Sequence, residues 1–264
     1  MLRLLPSLSL LLLPLISLPT QADDDPAVAR GHEIVTEADN RDKGWINTES
    51  TMKMELSNAH GDVSVRQLRT KALEVEGDGD KGLTIFDQPL DVKGTAFLTF
   101  SHALEPDDQW IYLPALKRVK RISSRNKSGP FMGSEFAYED MASFEVEKYD
   151  YRYLRDEMLD GIDCFVVESY PRDKNSGYTR LVTWFDKAEY RAQKINYFDR
   201  KNAALKTLRF SEFKHYLDQY WRPHRMHMVN HQTGKSTVLT FDEIRFQTGL
   251  SDRDFNKNSL KRAK

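Results

Sequence analysis

The chain has 264 residues, of which 39% are hydrophobic and 30% charged, and its 39 basic and 40 acidic residues leave a formal net charge of −1. This balance gives no electrostatic argument for nucleic-acid binding, because proteins of that class concentrate positive charge. Cys164 is the only cysteine, which excludes an intrachain disulfide. The core must therefore be held together by packing alone.

The first 22 residues have the pattern of a secretory signal peptide. Arg3 supplies a short positive region, a mostly leucine run covers Leu4–Leu18, and Thr20-Gln21-Ala22 offers small residues for cleavage. A membrane-spanning helix needs about 20 apolar residues, and this shorter run is interrupted by prolines and serines. We expect cleavage after Ala22, which leaves residues 23–264 as one soluble periplasmic domain.

The elements that follow the leader are one helix and a series of strands. Asp25 and Pro26 can start a helix that we predict to end at Asp39. Met52, Met54 and Leu56 then alternate with polar residues, as in a half-buried strand. The other predicted strands are Val63–Val75, Thr95–Phe100, Gln109–Leu113, Tyr151–Met158, Cys164–Tyr170, Tyr178–Phe185, Gln193–Phe198, Leu205–Phe213, Arg222–Asn230 and Ser236–Phe246.

The regular turn spacing predicts a mainly β fold of the α+β class, built on a meandering antiparallel sheet. Several strands are apolar on both faces, whereas a sheet open to water on one side would alternate cleanly. Both faces should therefore be covered. An ordinary two-sided core and a curved sheet around an apolar cavity both fit this pattern. In the polar tail, Phe255 and Leu260 are the expected anchors of a short terminal helix.

Two blocks in the middle of the chain resemble a known family. They run from Trp110 to Ile122 and from Phe131 to Met141. They are similar to the signature of the periplasmic outer-membrane lipoprotein-sorting-like (LolA-like) proteins, and closest to an uncharacterised branch found beside resistance–nodulation–division (RND) exporters. Weaker similarity lies at Trp184–Asp186 and in the hairpin from Val229 to Lys235.

The resemblance implies a fold and a class of activity. The fold is a curved antiparallel sheet that forms an incomplete barrel, with helices covering an apolar cavity. The activity is carriage or sensing of lipids or lipoprotein acyl chains, with transient membrane contact, an RND-type exporter as a possible inner-membrane partner, and no cofactor. The residues expected to line or cover the cavity are Trp110, Tyr112, Phe131, Met132, Phe136 and Tyr138.

The densest basic cluster of the chain is the run Lys117, Arg118, Lys120 and Arg121. It fits a solvated edge strand, where charge protects against aggregation. It equally fits contact with anionic lipid headgroups or an acidic partner, since each basic residue near an anionic surface contributes about 1 kcal/mol.

The loop that follows the basic run carries two large apolar side chains, Phe131 and Met132, between Gly129 and Gly133. The loop is either a buried plug or a mobile lid over the cavity, and methionine adapts well to varied acyl chains. Glu135, Glu139 and Asp140 follow closely and could pair with the basic run.

The sequence offers little support for metal binding or catalysis. His224, His227 and His231 invite a metal interpretation, but on a strand His224 faces away from the other two. Nucleophile-elbow, zinc-protease and phosphate-loop motifs are missing from the sequence. Cys164 lies in an apolar strand, which favours an inert thiol. We therefore expect a carrier without catalytic residues, with a periplasmic sensor or adaptor on the same scaffold as the alternative and a lipid hydrolase as a remote third.

Overall fold

The computed structural model describes residues 25–262, so the predicted signal peptide lies outside the described residues. One α-helix, α1 (Pro26–Arg41), precedes the strands. The strands are β1 (Asn47–Ser57), β2 (Val63–Leu73), β3 (Lys81–Gln88), β4 (Ala96–Phe100), β5 (Asp108–Leu113), β6 (Arg118–Ile122), β7 (Tyr149–Leu159), β8 (Ile162–Pro171), β9 (Tyr178–Asp186), β10 (Ala192–Asp199), β11 (Ala204–Tyr216), β12 (Tyr220–Asn230) and β13 (Ser236–Phe246).

The thirteen strands form one antiparallel sheet in the order β6-β5-β4-β3-β2-β1-β13-β12-β11-β10-β9-β8-β7. The sheet curves without closing, so β6 and β7 are its two edges although they are neighbours in the chain. Residues 123–148, which we call the crossover segment, connect these edges. The predicted fold class, a curved sheet forming an incomplete barrel, is confirmed.

The helix begins where its sequence predicts and packs on the edge of the sheet. The Asp25 carboxylate accepts a hydrogen bond from the Ala27 N–H at 2.9 Å, and Pro26 occupies the first turn. Ile34 and Val35 are buried against β7 and β8. A Cβ atom at Gly31 would lie 2.6 Å from the Tyr153 nitrogen, so only glycine lets the helix approach β7 this closely.

Both faces of the sheet are covered around β3 to β5, as the doubly apolar strand β4 predicts, whereas exposed side chains such as Lys53 and Arg209 mark the outer face of β1 and β11. The crossover segment covers the inner face, defined by side chains such as Phe97, Leu208 and Met228. On the outer face, Phe255 and Leu260 of the C-terminal segment are buried against β3, β4 and their neighbours. The predicted C-terminal anchors are therefore confirmed. Within residues 25–262, no helix is long and apolar enough to span a membrane.

One strand escapes the sequence analysis. Residues 83–86 of β3 are all buried, and their run of Leu, Thr, Ile and Phe lacks the alternation that marks a half-exposed strand. The strand is covered on both faces, because Phe86 packs in the inner core while Leu83 and Ile85 pack under the C-terminal segment.

Candidate functional site: the inner face and its crossover segment

The inner face is a continuous apolar surface that runs across most of the sheet. Alternate residues of neighbouring strands meet in register on this face, for example Leu68 with Phe86 and Leu208 with Met228. Six of the eight methionines of the chain pack in this core, and they are Met52, Met54, Met132, Met141, Met226 and Met228. Because methionine is flexible and polarizable, such a surface can repack around ligands of different shapes.

The crossover segment fills the inner face with its own aromatic side chains. Phe131 has an exposed fraction of 0%, and its ring centroid lies 5.1 Å from that of Phe97 and 5.6 Å from that of Tyr138. Phe136 is buried in the same core. Of the two expectations for Phe131 and Met132, a buried plug or a mobile lid, the structure shows the buried plug.

A buried ion pair fastens the segment to the sheet. Lys206 of β11, 4% exposed, lies 2.6 Å from the Asp140 carboxylate, which is 7% exposed. The same carboxylate accepts hydrogen bonds from the Tyr178 hydroxyl at 2.8 Å and the Ala137 N–H at 2.7 Å. Lys206 also donates to the Glu135 carbonyl at 2.9 Å. Desolvation raises the pKa of the buried Tyr178 well above its usual value, so Tyr178 remains a neutral donor.

A second attachment lies at the rim of the inner face. Met132 and Gly133 form a turn with positive φ angles of 51° and 76°. Arg66 of β2 donates a hydrogen bond to the Met132 carbonyl oxygen, and its guanidinium lies 5.8 Å from the Phe86 ring centroid. Partial burial lowers the pKa of Arg66 from its usual value. Arg66 thus joins the turn to β2, while the Ser134 N–H and hydroxyl, which both donate to the Phe131 carbonyl, close the turn itself.

The third attachment joins the segment to the turn between β8 and β9. The Glu139 carboxylate accepts hydrogen bonds from the Ser176 hydroxyl and the Gly177 N–H, each at 2.8 Å. Burial, and then the charge of Asp140, raises the pKa of Glu139. A Cβ atom at Gly177 would lie 2.7 Å from the Ser128 Cβ, so this close approach depends on glycine.

The structure brings together four of the six predicted cavity residues. Phe131, Met132, Phe136 and Tyr138 all pack in the inner core. Trp110 and Tyr112 lie on the outer face, where they pack against the C-terminal segment. Alternation along β5 explains the outward position of Trp110 and Tyr112, because Gln109, Ile111 and Leu113 are the residues of this strand that face inward.

The predicted basic run forms the edge of the sheet. Lys117 ends the turn after β5, and Arg118, Lys120 and Arg121 lie in the edge strand β6, with all four side chains exposed. Arg121 pairs with Asp108. In the described part of the chain, the other three have no carboxylate at ion-pair distance. The acidic residues Glu135, Glu139 and Asp140 pair elsewhere, so the cations remain available for an external partner.

Arg66, Tyr178 and Lys206 are the site residues that sequence reasoning misses. One sequence signal could have indicated Lys206. This lysine alternates with Leu208 on one face of its strand, and a cation that is buried on an apolar face requires a partner. Nothing in the sequence indicates that this partner is Asp140, because the two residues lie on separate elements and meet only when the crossover segment is in place.

The histidines and the cysteine that the sequence singles out lie in structural surroundings. His224 is buried between the Tyr216 hydroxyl and the Phe241 carbonyl, each at 2.7 Å. His231 contacts the Thr207 hydroxyl. Among residues 25–262, no three His, Cys, Asp or Glu side chains converge as metal ligands would. Burial raises the pKa of Cys164 to about 11, which leaves the thiol protonated and unreactive near neutral pH.

Comparison with known proteins points to one family. A family model described as uncharacterized-protein-like matches residues 78–262. An outer membrane lipoprotein-sorting protein domain from Vibrio parahaemolyticus is 63% identical, with a TM-score of 0.87 over 89% of this chain and 99% of that one. A DUF1329 family protein from Desulfovibrio piger is 32% identical, with a TM-score of 0.84 over 89% of this chain and 99% of that one.

A more distant structure has the same fold. A LolA superfamily protein from Nitrosomonas europaea is 21% identical, with a TM-score of 0.69 over 86% of this chain and 98% of that one. No protein of curated function matches the chain.

Proposed function

We propose, from the premise that this chain belongs to the outer-membrane lipoprotein-sorting-like (LolA-like) family and its DUF1329 branch, that it is a periplasmic carrier for a lipid or an acylated molecule. The cargo is a phospholipid or the acyl chains of a lipoprotein. The protein holds these chains against the inner face and performs no catalysis.

The observation that supports this proposal most is the content of the inner face. A methionine-rich apolar surface is covered by the aromatic side chains of one irregular segment, and polar contacts such as the Lys206–Asp140 ion pair and the Arg66 hydrogen bond join this segment to the sheet. When the segment moves, the apolar surface must be covered by something else. An acyl chain is the natural replacement, because it needs apolar contact along its length and no hydrogen bonds.

The size of the plug sets a minimum size for the ligand. Exposing Phe131 and Phe136 costs up to about 6 kcal/mol, and each buried CH₂ group returns about 0.8 kcal/mol. About eight buried CH₂ groups are therefore needed before ligand binding offsets displacement of the two rings. Long acyl chains should bind, and short ones should not.

The experiment is a chain-length series on the mature protein, residues 23–264. A fluorescent acyl probe should bind, and fatty acids of sixteen carbons should displace it while those of six carbons should not. Mass spectrometry of apolar material that co-purifies with the protein should identify long-chain lipid. Failure of the probe to bind, together with protein free of lipid, would contradict the proposal.

The basic run supplies the proposed contact with headgroups or with a partner. Replacing Arg118 and Lys120 by glutamate should weaken binding to anionic vesicles most strongly at low salt, because charges on the surface are screened over about 8 Å at physiological ionic strength. Vesicle co-sedimentation across a salt series measures this effect. Glutamate at Arg155 and Arg209, exposed cations of other strands, is the control. Equal losses in both double variants would show that net charge, and not this run, is responsible.

The alternative is a periplasmic sensor or adaptor that works with an RND-type exporter and transfers no lipid. The tightly packed inner face favours it, because a protein that carries nothing can keep its core filled. Stable capture of a membrane protein by lipid-free chain would support the adaptor. Exchange of the acyl probe between protein and vesicles would support the carrier.

A further inference from the structure

Two leucines are strongly exposed on neighbouring hairpin turns. Leu90, in the turn 89–95 between β3 and β4, has an exposed fraction of 87%, and Leu116, in the turn between β5 and β6, has one of 52%. The two turns are in contact, since a Cβ atom at Gly94 would lie 3.5 Å from Cγ of Pro114. We call this pair of side chains the leucine tip.

Backbone hydrogen bonds and a buried side chain fix the β3–β4 turn that carries Leu90. The Gly94 N–H donates to the Phe86 carbonyl at 2.8 Å, and the Thr95 N–H donates to the Val92 carbonyl at 2.9 Å. Val92, two residues after Leu90, is buried in the inner core. A fixed turn that buries one apolar side chain and presents another to water keeps the exposed one available for an external surface.

The charges beside the leucine tip are mostly positive. Lys93, Lys117 and Arg118 are exposed, and Asp91 is the acidic residue of the two turns. Apolar side chains ringed by basic ones match the interface of an anionic bilayer, where leucine enters the acyl boundary and the cations remain among the headgroups.

A third exposed leucine provides the contrast. Leu104, 83% exposed, lies in the loop between β4 and β5, at the opposite end of these strands. Its surroundings are acidic, since Glu105 follows it and Asp78 bonds the Ala103 N–H at 2.8 Å. Exposed leucines therefore lie at both ends of these strands, but the charged residues next to the leucine tip are mostly basic, whereas those next to Leu104 are acidic.

We propose that the leucine tip inserts into the interface of an anionic membrane and so directs the rim of the inner face toward the bilayer. The step from tip to rim is short, because Phe86, at the end of β3, contacts Phe131 with ring centroids 5.9 Å apart. Arg66 holds the Met132 turn, and the negative charge of Asp91 in the β3–β4 turn favours the protonated form of its guanidinium. This inference rests on the proposed carrier function and names the membrane surface that such a carrier would meet.

The experiment compares the double variant Leu90→Asn with Leu116→Asn against the single variant Leu104→Asn in the mature protein. Binding is measured by co-sedimentation with vesicles of phosphatidylcholine containing phosphatidylglycerol. The double variant should bind at least about tenfold more weakly, and the loss should persist at high salt because it removes apolar contact. Leu104→Asn should bind like the wild type.

Three results would overturn the inference. They are equal binding by the double variant and the wild type, an equal loss in Leu104→Asn, and no binding of the wild type to anionic vesicles. The last result, combined with stable capture of a membrane protein through the tip, would assign the tip to a protein partner. Acyl-probe binding in vesicle-free solution should be the same for all variants. It therefore reports separately on whether the carrier function itself holds.

Discussion

Replacing Lys206 by methionine is expected to destabilise the protein by about 3–5 kcal/mol at neutral pH, because removal of one partner leaves the other charge buried. Methionine can occupy the space of the lysine stem, so the loss reports mainly on charge. Asp140 retains its hydrogen bonds from Tyr178 and Ala137, but loses the cation that lies 2.6 Å away. Urea unfolding of the mature protein measures the change in free energy of unfolding.

Two further variants make the Lys206 experiment specific. Adding Asp140→Asn to Lys206→Met should recover more than half of the lost stability, because the buried negative charge disappears while an acceptor oxygen remains. Arg209→Met removes a cation from the same strand, but its partner Asp160 is exposed, so the expected loss is at most about 1 kcal/mol. Similar losses for Lys206→Met and Arg209→Met would show that the buried pair does not hold the crossover segment.

Replacing Phe131 by alanine is expected to have two opposite effects. Loss of this fully buried ring should destabilise the protein by about 3–5 kcal/mol, since the neighbours Phe86, Phe97 and Tyr138 are fixed on the sheet or packed beside it. An acyl probe should bind more tightly, by about tenfold or more, because the ligand no longer has to displace the ring. Urea unfolding and probe titration give the two quantities.

Phe144→Ala is the matched control, because Phe144 belongs to the same crossover segment but is exposed and stacks on Tyr149 with ring centroids 5.5 Å apart. It should cost about 1 kcal/mol and leave probe affinity unchanged. If Phe131→Ala lost stability and probe affinity stayed at the wild-type level, ligand would not occupy the space of this ring, and the proposed binding surface would be wrong.

Much of the sheet could be predicted because its strands are half covered and bounded by turns. The predicted bounds of β13 agree with the structure, and the helix end differs by two residues. The buried strand β3 was missed because a segment covered on both faces has no alternation to detect. Alternation alone therefore does not reveal such strands. The strands β4 and β8 are also buried on both faces, and longer apolar runs between turn residues are what predicted them.

The candidate site was less predictable because it depends on contacts between distant parts of the chain. Alternation places Trp110 and Ile111 on opposite faces but does not say which face is the inner one. The blocks around Trp110 and Phe131 are near in sequence, yet their aromatic side chains lie on opposite sides of the sheet. The ion pair between Lys206 and Asp140 depends on the path of the crossover segment, whose sequence has no periodic pattern.

The strand order also constrains how the chain can fold. In the described part of the chain, every neighbouring strand pair but one joins strands that are consecutive in sequence, so the sheet consists of two meanders, β1 to β6 and β7 to β13. The exception pairs β1 with β13 and brings Thr48 opposite Phe246. The local hairpins of each meander can form early. Pairing of β1 with β13 instead requires residues about 200 positions apart to meet, and the entropy lost in closing so long a loop makes this step slow. A chain emerging from a membrane N-terminus first would therefore keep an open edge on β1 until its last strand arrives.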